Sequence, residues 1–199
     1  MITESQQKII DAFLIAVQEA KSFRSVSMLK VAKVAGISPQ AIYRKHFNSI
    51  EDILKTLKRT IKRDLLDASQ SRLEKNPGVS PFSVISEDLL PIFFKHQLAL
   101  KVFYNYLGTK DLAFLENVLS EFLSPNLGNE CPEVISPPDF FPKLLVRMLL
   151  TILLEWLSQD NPTPPTLFRA QFLALCETFQ IKSYMHEKPQ VHDERLKKV

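Results

Sequence analysis

Apolar residues recur every three or four positions along the first third of the chain, which is the period of an amphipathic helix. Thr3 opens the first predicted helix, residues 4–21, with the spacing of a capping box. Ser27 provides the cap for a second helix over residues 28–34, and Gly36 ends it. The pattern therefore predicts two helices before the first glycine of the chain.

A serine-proline pair marks the start of the third helix. Ser38 suits the N-cap, and Pro39 suits the first helical position because an N–H there would have no partner. This helix is predicted over residues 38–45. A fourth, over residues 49–72, would span roughly 35 Å at about 1.5 Å per residue. It is long enough to connect the N-terminal helices to the rest of the chain.

The remaining two thirds of the chain also have helical periodicity, and there are only four glycines. Further helices are predicted over residues 81–95, 97–107, 110–123, 139–158 and 165–182, with Pro91 kinking or dividing the first. A loop with four prolines covers residues 124–138. The predicted fold is all-α: a three-helix domain at residues 1–48, a helical domain at residues 49–183 and a charged tail at residues 184–199.

The net charge of +3 conceals an uneven distribution. Residues 1–62 carry eleven Lys or Arg and five Asp or Glu, whereas residues 63–199 carry fourteen and seventeen. A basic N-terminal third suggests a polyanionic partner at that end, although many solvated surfaces are also basic.

The sequence lacks the patterns that mark enzymes and cofactor sites. It contains no nucleophile-base set, no phosphate-binding glycine loop and no cluster of residues at metal-ligand spacing. No uninterrupted apolar run reaches the length of about 18 residues that a membrane span needs. We therefore expect a cytoplasmic protein that is not an enzyme, has no cofactor or metal and does not enter a membrane.

The second and third predicted helices have the pattern of a helix-turn-helix motif. Ala32 is small where the two helices would cross, and Gly36 occupies the turn. The positions that would fill the core between the helices are apolar: Val31, Ala35, Ile37 and Ile42. Two ordinary packed helices could share this spacing, but the serine caps and the basic charge favour DNA binding.

These residues resemble the N-terminal signature of TetR-type transcriptional regulators over about residues 5–58. The resemblance lies in Ser27–Ala32, Ala35–Ser38, Ile42–Tyr43, His46–Phe47 and Glu51–Leu54. Beyond this region it is architectural only. It implies a homodimer that binds double-stranded DNA and releases it when a small-molecule effector binds.

Three features depart from the family pattern. Arg44 and Lys45 separate Tyr43 from His46, where the family usually has one residue. The extra residue either rotates the end of the third helix by about 100° or is absorbed in a looser turn. Ile50 stands where a lysine is common, which would remove a phosphate contact, and no glycine follows the first helix.

The third helix is predicted to lie in the major groove, with its N-terminal residues nearest the bases. Gln40 would form two hydrogen bonds with adenine, and Ala41 would contact a thymine methyl group. Pro39 would pack against a base or sugar edge. Arg44 or Lys45 would reach guanine or a phosphate.

Other contacts follow from the resemblance. It implies that Tyr43, His46 and the helix start at Ser27 bind phosphates, and Ser38 completes the predicted DNA-binding set. Tyr43 has an alternative role in packing, and His46 could instead cap the third helix.

Two long apolar segments near the end of the chain are the predicted dimer interface. Leu144, Leu145, Met148, Leu149, Ile152 and Leu153 make a stripe wider than one buried face needs. With Phe168, Phe172 and Leu175, this stripe would form a four-helix bundle between two protomers, as the resemblance implies. Of these residues, the predicted interface set is Leu145, Met148, Leu149, Ile152, Phe168 and Phe172. The alternative is that the stripe serves only the core of one protomer.

Aromatic residues are frequent in the middle of the chain. The resemblance implies an apolar effector pocket there, with His96, Phe103, Asn105 and Tyr106 as candidates. Aromatic residues at helical spacing can equally be ordinary core.

The sequence as a whole predicts a ligand-responsive repressor that binds a palindromic operator as a homodimer. The alternative is a related adaptor or co-activator that works through protein contacts with weak or no operator binding.

Overall fold

The computed structural model describes residues 2–76, 79–123 and 140–178, and their regular structure is entirely helical. The α-helices of these residues are α1 Glu4–Gln18, α2 Met28–Ala35, α3 Pro39–Lys45, α4 Ile50–Lys75, α5 Pro81–Val84, α6 Leu90–Lys95, α7 Gln97–Val102, α8 Thr109–Leu123, α9 Phe140–Ser158 and α10 Pro165–Thr178. A 3-10 turn at Phe23–Ser25 and π-helical turns at Ile85–Leu89 and Phe103–Leu107 complete them. The predicted all-α fold is confirmed.

The helix boundaries differ from prediction by a few residues. The first helix ends at Gln18, three residues before its predicted end, and the 3-10 turn follows at Phe23–Ser25. The fourth helix continues to Lys75. The predicted loop at 124–138, the predicted end of the last helix after Thr178 and the charged tail at 184–199 lie outside the described residues.

Residues 2–48, here called the head, form a three-helix unit. Thr3 and Gln6 form the predicted capping box: the Thr3 hydroxyl accepts from the Gln6 N–H at 3.2 Å, and the Gln6 side chain accepts from the Thr3 N–H at 3.1 Å. α1 packs on α2, and α2 packs on α3. The side chains that fill the space between them are almost fully buried: Ile9, Phe13, Val17, Val31, Ala32, Ile42 and Phe47.

The first π-helical turn ends at Leu89, two residues before Pro91. Proline has no N–H, and its ring would collide with the carbonyl four residues earlier in a regular α-helix. The Leu90 N–H donates to the Ile85 carbonyl, which widens the helix at this point. A widened turn therefore accommodates the proline inside an otherwise continuous helical segment.

Residues 49–76, 79–123 and 140–178, here called the body, pack around α4. This helix contacts α6 and α8, while α9 packs on α7 and α8. Trp156 lies between two phenylalanines, with ring centroids 5.9 Å from Phe94 and 4.2 Å from Phe168. Its indole N–H donates to the Thr163 carbonyl at 2.9 Å, so the buried ring leaves no polar atom unsatisfied. This stack joins α6, α9 and α10.

Two general features of the described ranges limit the kinds of site to consider. None of their helices combines the length and hydropathy that a membrane crossing requires. Across the same ranges, no three His, Cys, Asp or Glu side chains are grouped as a metal ion would need.

Candidate nucleic-acid interface

A short helix with one buried anchor forms the centre of the candidate site. The Ser38 hydroxyl accepts from the Ala41 N–H at 3.2 Å, and Pro39 occupies the first turn, so α3 begins as predicted. Ile42 is the only fully buried residue of α3. A seven-residue helix held by one side chain presents most of its surface outward.

The turn before α3 depends on a glycine. Gly36 has a φ of +67°, a left-handed conformation that most other residues reach only with strain. The next N–H, that of Ile37, donates back to the Ala32 carbonyl at 3.1 Å and closes the end of α2. Ala32 is buried, which lets α2 and α3 approach closely. This geometry sets the angle between the two helices.

Both residues between Tyr43 and His46, Arg44 and Lys45, belong to α3. His46 leaves helical geometry, with φ −131° and ψ −64°. The N–H groups of His46 and Phe47 both donate to the Ile42 carbonyl, at 2.9 and 3.1 Å. A loosened turn therefore begins after Lys45, and Phe47 reaches the core of the head, where it is 2% exposed.

All nine residues predicted to contact DNA are accessible in the protomer. Six of them are exposed: Ser27, Ser38, Gln40, Tyr43, Arg44 and Lys45. Pro39, Ala41 and His46 are partly buried. Tyr43 is 49% exposed, which argues against a purely packing role for its ring.

The charge of the head is concentrated around this helix. Between Glu19 and Glu51 the chain contains six Lys or Arg and no acidic residue. Lys30, Lys33, Arg44 and Lys45 within this segment are exposed. Within the described part of the chain none of these four cations forms an ion pair, so the surface that carries α2 and α3 offers positive charge that suits a phosphate backbone.

Next to the start of α3 lies an open concavity of about 400 Å³. Its lining is Leu29, Lys30, Ala32, Lys33, Ile37 and Pro39. Leu29 is 70% exposed and was not among the residues predicted from sequence. The signal was present, because Leu29 falls outside the inward-facing positions of α2.

Ion pairs join α4, the helix that follows the head, to the rest of the body. The Lys58 ammonium lies 2.6 Å from Asp111 of α8 and 5.7 Å from the centre of the Phe103 ring. Lys62 lies 3.3 Å from Glu121 of the same helix. These lysines are therefore engaged within the protomer, unlike the cations around α3.

A buried pair joins α4 to the junction of α6 and α7. Asp64 and His96 are each 12% exposed, and the His96 Nε2 lies 2.9 Å from the Asp64 carboxylate. Burial opposes ionisation of Asp64, but hydrogen bonds from Lys95, His96 and Arg63 outweigh it and lower the pKa of Asp64 to about 2. Burial lowers the pKa of His96, although Asp64 acts in the opposite direction. Neutral His96 therefore donates through Nε2 to an ionised Asp64.

The four candidate effector residues occupy two different environments. Phe103 is fully buried with its ring edge-to-face on Phe114 at 5.8 Å, and His96 is engaged with Asp64. Asn105 and Tyr106 are exposed. Two of the predicted side chains thus belong to the interior of the body and two belong to its surface.

Most of the candidate dimer residues are already covered within one protomer. Leu145, Leu149, Phe168 and Phe172 are at most 5% exposed, because α9 packs on α7 and α8 and the Trp156 stack covers α10. Side chains buried this way cannot also contact a partner unless the protomer opens, so these four assignments are corrected to core. Met148 and Ile152 are half-buried. The exposed apolar residues of the two helices include Leu144, Leu167 and Leu175.

Comparison with solved structures places this arrangement of helices in a known fold. The chain is 19% identical to the fatty acid degradation regulator FadR from Bacillus halodurans, with a TM-score of 0.62 over 87% of this chain and 94% of that one. A TetR transcriptional regulator from Streptococcus agalactiae is 20% identical, with a TM-score of 0.59 over 87% of this chain and 94% of that one. FadR from Bacillus subtilis was solved in complex with stearoyl-CoA. It is 18% identical, with a TM-score of 0.59 over 85% of this chain and 96% of that one.

Neither a scan against protein-family models nor a search of curated proteins found a match for the sequence. The structural likeness therefore concerns the fold. The all-α arrangement of this chain is the one found in these transcriptional regulators. Within that class, the arrangement is that of the TetR-type regulators.

Proposed function

We propose that this protein is a DNA-binding transcriptional regulator that inserts α3 into the major groove. The observation that carries the proposal is the outward face of α3, where Gln40, Arg44 and Lys45 are exposed while Ile42 anchors the helix from behind. The TetR-type fold supports it.

The contacts divide into base reading and phosphate binding. Gln40 has the donor and acceptor geometry for adenine, and Ala41 is small enough to meet a thymine methyl group. Beside these two residues, Pro39 packs against a base or sugar edge. Tyr43, the Ser27 helix start and His46 hold phosphates, and Ser38 positions the first turn of α3.

Arg44 and Lys45 extend this set at the other end of α3. Both are exposed before the loosened turn. In the proposed complex they bind guanine or the phosphates that flank the bases read by Gln40.

We further propose that residues 1–48 act as the DNA-binding domain and residues 49–183 as the ligand-binding and dimerisation domain. A single reading helix offers a small interface, so such proteins gain affinity by presenting two heads to a palindrome. The homodimer would form through the exposed sides of α9 and α10. Leu144, Leu167 and Leu175 would contact the partner, with Met148 and Ile152 at the edge.

The proposed effector site lies in the body, with repression released when it fills. Phe103 and His96 would contribute the interior wall, and Asn105 and Tyr106 would turn inward or close over the entrance. Because one structural neighbour was solved with stearoyl-CoA, long-chain acyl-CoA is a sensible first probe. An effector should raise the melting temperature and lower DNA affinity, since it binds the DNA-releasing state better.

The test begins with selection of bound duplexes from a random pool and from genomic fragments. The affinity of the selected duplex is then measured by fluorescence anisotropy at several salt concentrations. A regulator should enrich a motif of two half-sites and lose affinity steeply as salt rises, because bound phosphates release counterions. Lys45→Ala should reduce the salt slope by about one if Lys45 meets a phosphate.

The adaptor alternative gives the opposite result in the same experiment. A protein that acts only through protein contacts would enrich no motif, and its weak binding would not discriminate between duplexes. That outcome would overturn the proposed function.

A further inference from the structure

An exposed leucine lies within the cationic surface of the head. Leu29 follows the N-cap of α2 and is 70% exposed. The inward positions of this helix are Met28, Val31, Ala32 and Ala35, all buried, so Leu29 contributes nothing to the core of the head. A single exposed leucine is ordinary, and its surroundings decide whether it has a role.

The surroundings of Leu29 combine apolar and positively charged side chains. Leu29 shares the concavity beside α3 with Ile37 and Pro39, and Lys30 and Lys33 also line it. Pro39 is the first residue of the proposed reading helix. The concavity is therefore continuous with the end of α3 that lies nearest the bases in the proposed complex.

The charge around the concavity indicates its occupant. The chain from Lys21 to Lys45 contains no acidic residue, so a second copy of the same surface would meet like charge. A DNA duplex supplies phosphates for Lys30 and Lys33, which line the concavity. The apolar group that a duplex presents in the major groove, between its phosphate rows, is the 5-methyl group of thymine.

We infer that Leu29, together with Pro39, holds a thymine methyl group of the operator in this concavity. The inference rests on the proposed function and adds a specificity-determining residue from α2 to those on α3. Lys30 and Lys33 fix the register by binding phosphates, and Leu29 favours thymine over the other bases at one position in each half-site. Removal of the methyl group and of Leu29 from water provides the favourable free energy.

The test replaces each thymine of the selected duplex, in turn, by deoxyuridine, which lacks only the methyl group. At the thymine held by Leu29, one in each half-site, wild-type protein should lose about fourfold in affinity, the value expected for one lost apolar carbon contact. A thymine that meets Ala41 would be a separate sensitive position. Leu29→Ala should bind the thymine and deoxyuridine duplexes equally at that position. Leu29→Met should retain most of the sensitivity, because its side chain keeps a similar apolar length.

Val34→Ala is the matched control. Val34 lies on the same helix and is 40% exposed, but it does not line the concavity. This variant should keep the wild-type pattern of sensitive thymines. Because Leu29 and Val34 are both exposed, neither substitution should unfold the head, and circular dichroism melting checks this.

The outcomes separate this inference from the function on which it rests. If wild-type protein selects a motif but Leu29→Ala keeps every sensitive thymine, the role of Leu29 is overturned and the regulator function stands. The same conclusion follows if no thymine is sensitive in wild-type protein. If no duplex is selected at all, the proposed function fails and the inference fails with it.

Discussion

The head and the body of this protein cover the faces of their helices to different extents. Helical spacing assigned polar residues of α3 to DNA and apolar residues of α9 and α10 to a partner protomer. All nine residues of the first set are accessible, whereas four of the six in the second set are buried in the protomer's own core. Both sets lie on helices whose positions agree with the prediction. The contrast therefore comes from the neighbours against which each helix packs.

The size of each helix explains the difference. α3 has seven residues and one buried anchor, so its polar positions face solvent whatever the rest of the chain does. α9 has 19 residues and packs against both α7 and α8. An apolar stripe on such a helix can be covered by its own chain, and the sequence alone does not say by which neighbour.

The sharpest test of this contrast is Phe172→Ala beside Leu167→Ala. Phe172 is fully buried, so its truncation should lower the free energy of unfolding by about 3–5 kcal/mol. Leu167 lies five residues earlier on α10 and is 65% exposed, so its truncation should leave the protomer close to wild-type stability and weaken dimer formation instead. Urea denaturation at fixed protein concentration and analytical ultracentrifugation measure the two effects. Equal unfolding energies for both variants would contradict the core assignment.

A smaller effect is expected on the head. Gln40→Ala should cost about 1–3 kcal/mol of binding free energy on the selected duplex and relax the preference at one base position. Gln40 is exposed and makes no contribution to the core, so stability should not change. Repeating the duplex selection with the variant measures the preference directly. A uniform loss on every duplex would show that Gln40 does not read a base.

Local signals in the sequence account for most of what was predicted correctly. The serine caps, Pro39 and Gly36 each act over three or four residues, and each is found in its expected role. The shape of the turn after Lys45 depends on how the core holds Phe47, which spacing does not reveal. Leu29 was missed because an apolar residue near a buried helix face is easily taken as core.

Contacts between distant segments could not be predicted from spacing. Asp64 and His96 are 32 residues apart in the chain and meet only because α4 packs against the junction of α6 and α7. The pairing of Lys58 with Asp111 depends on tertiary structure in the same way.

The smallest expected effect is a pH dependence that belongs to the body alone. The pKa of His96 is lowered from its ordinary value of 6.5, so below pH 6.5 the unfolded chain takes up a proton there that the folded protein resists. Stability should therefore fall as the pH decreases below 6.5 and should be insensitive to this group above it. For Asp64, with a pKa of about 2 against an ordinary 3.8, the loss comes between those two values.

His96→Gln isolates the histidine contribution. The free energy of unfolding of this variant, measured by urea denaturation between pH 5 and pH 8, should vary less with pH than that of wild-type protein. His46→Gln is the control on the head, because it also removes one histidine but leaves the pair of Asp64 and His96 intact. This variant should keep the part of the slope that comes from His96. If the unfolding free energy of His96→Gln varies with pH as steeply as that of wild-type protein, burial of His96 does not cause the pH dependence.

Photocross-linking tests most directly whether the head reads DNA. The selected duplex is prepared with 5-bromodeoxyuridine in place of its thymines, irradiated in complex with the protein and digested with trypsin. The cross-linked peptides should come from residues 28–45, chiefly the peptide 34–44 that contains Pro39, Gln40 and Ala41. Cross-links confined to peptides beyond residue 75 would contradict the account.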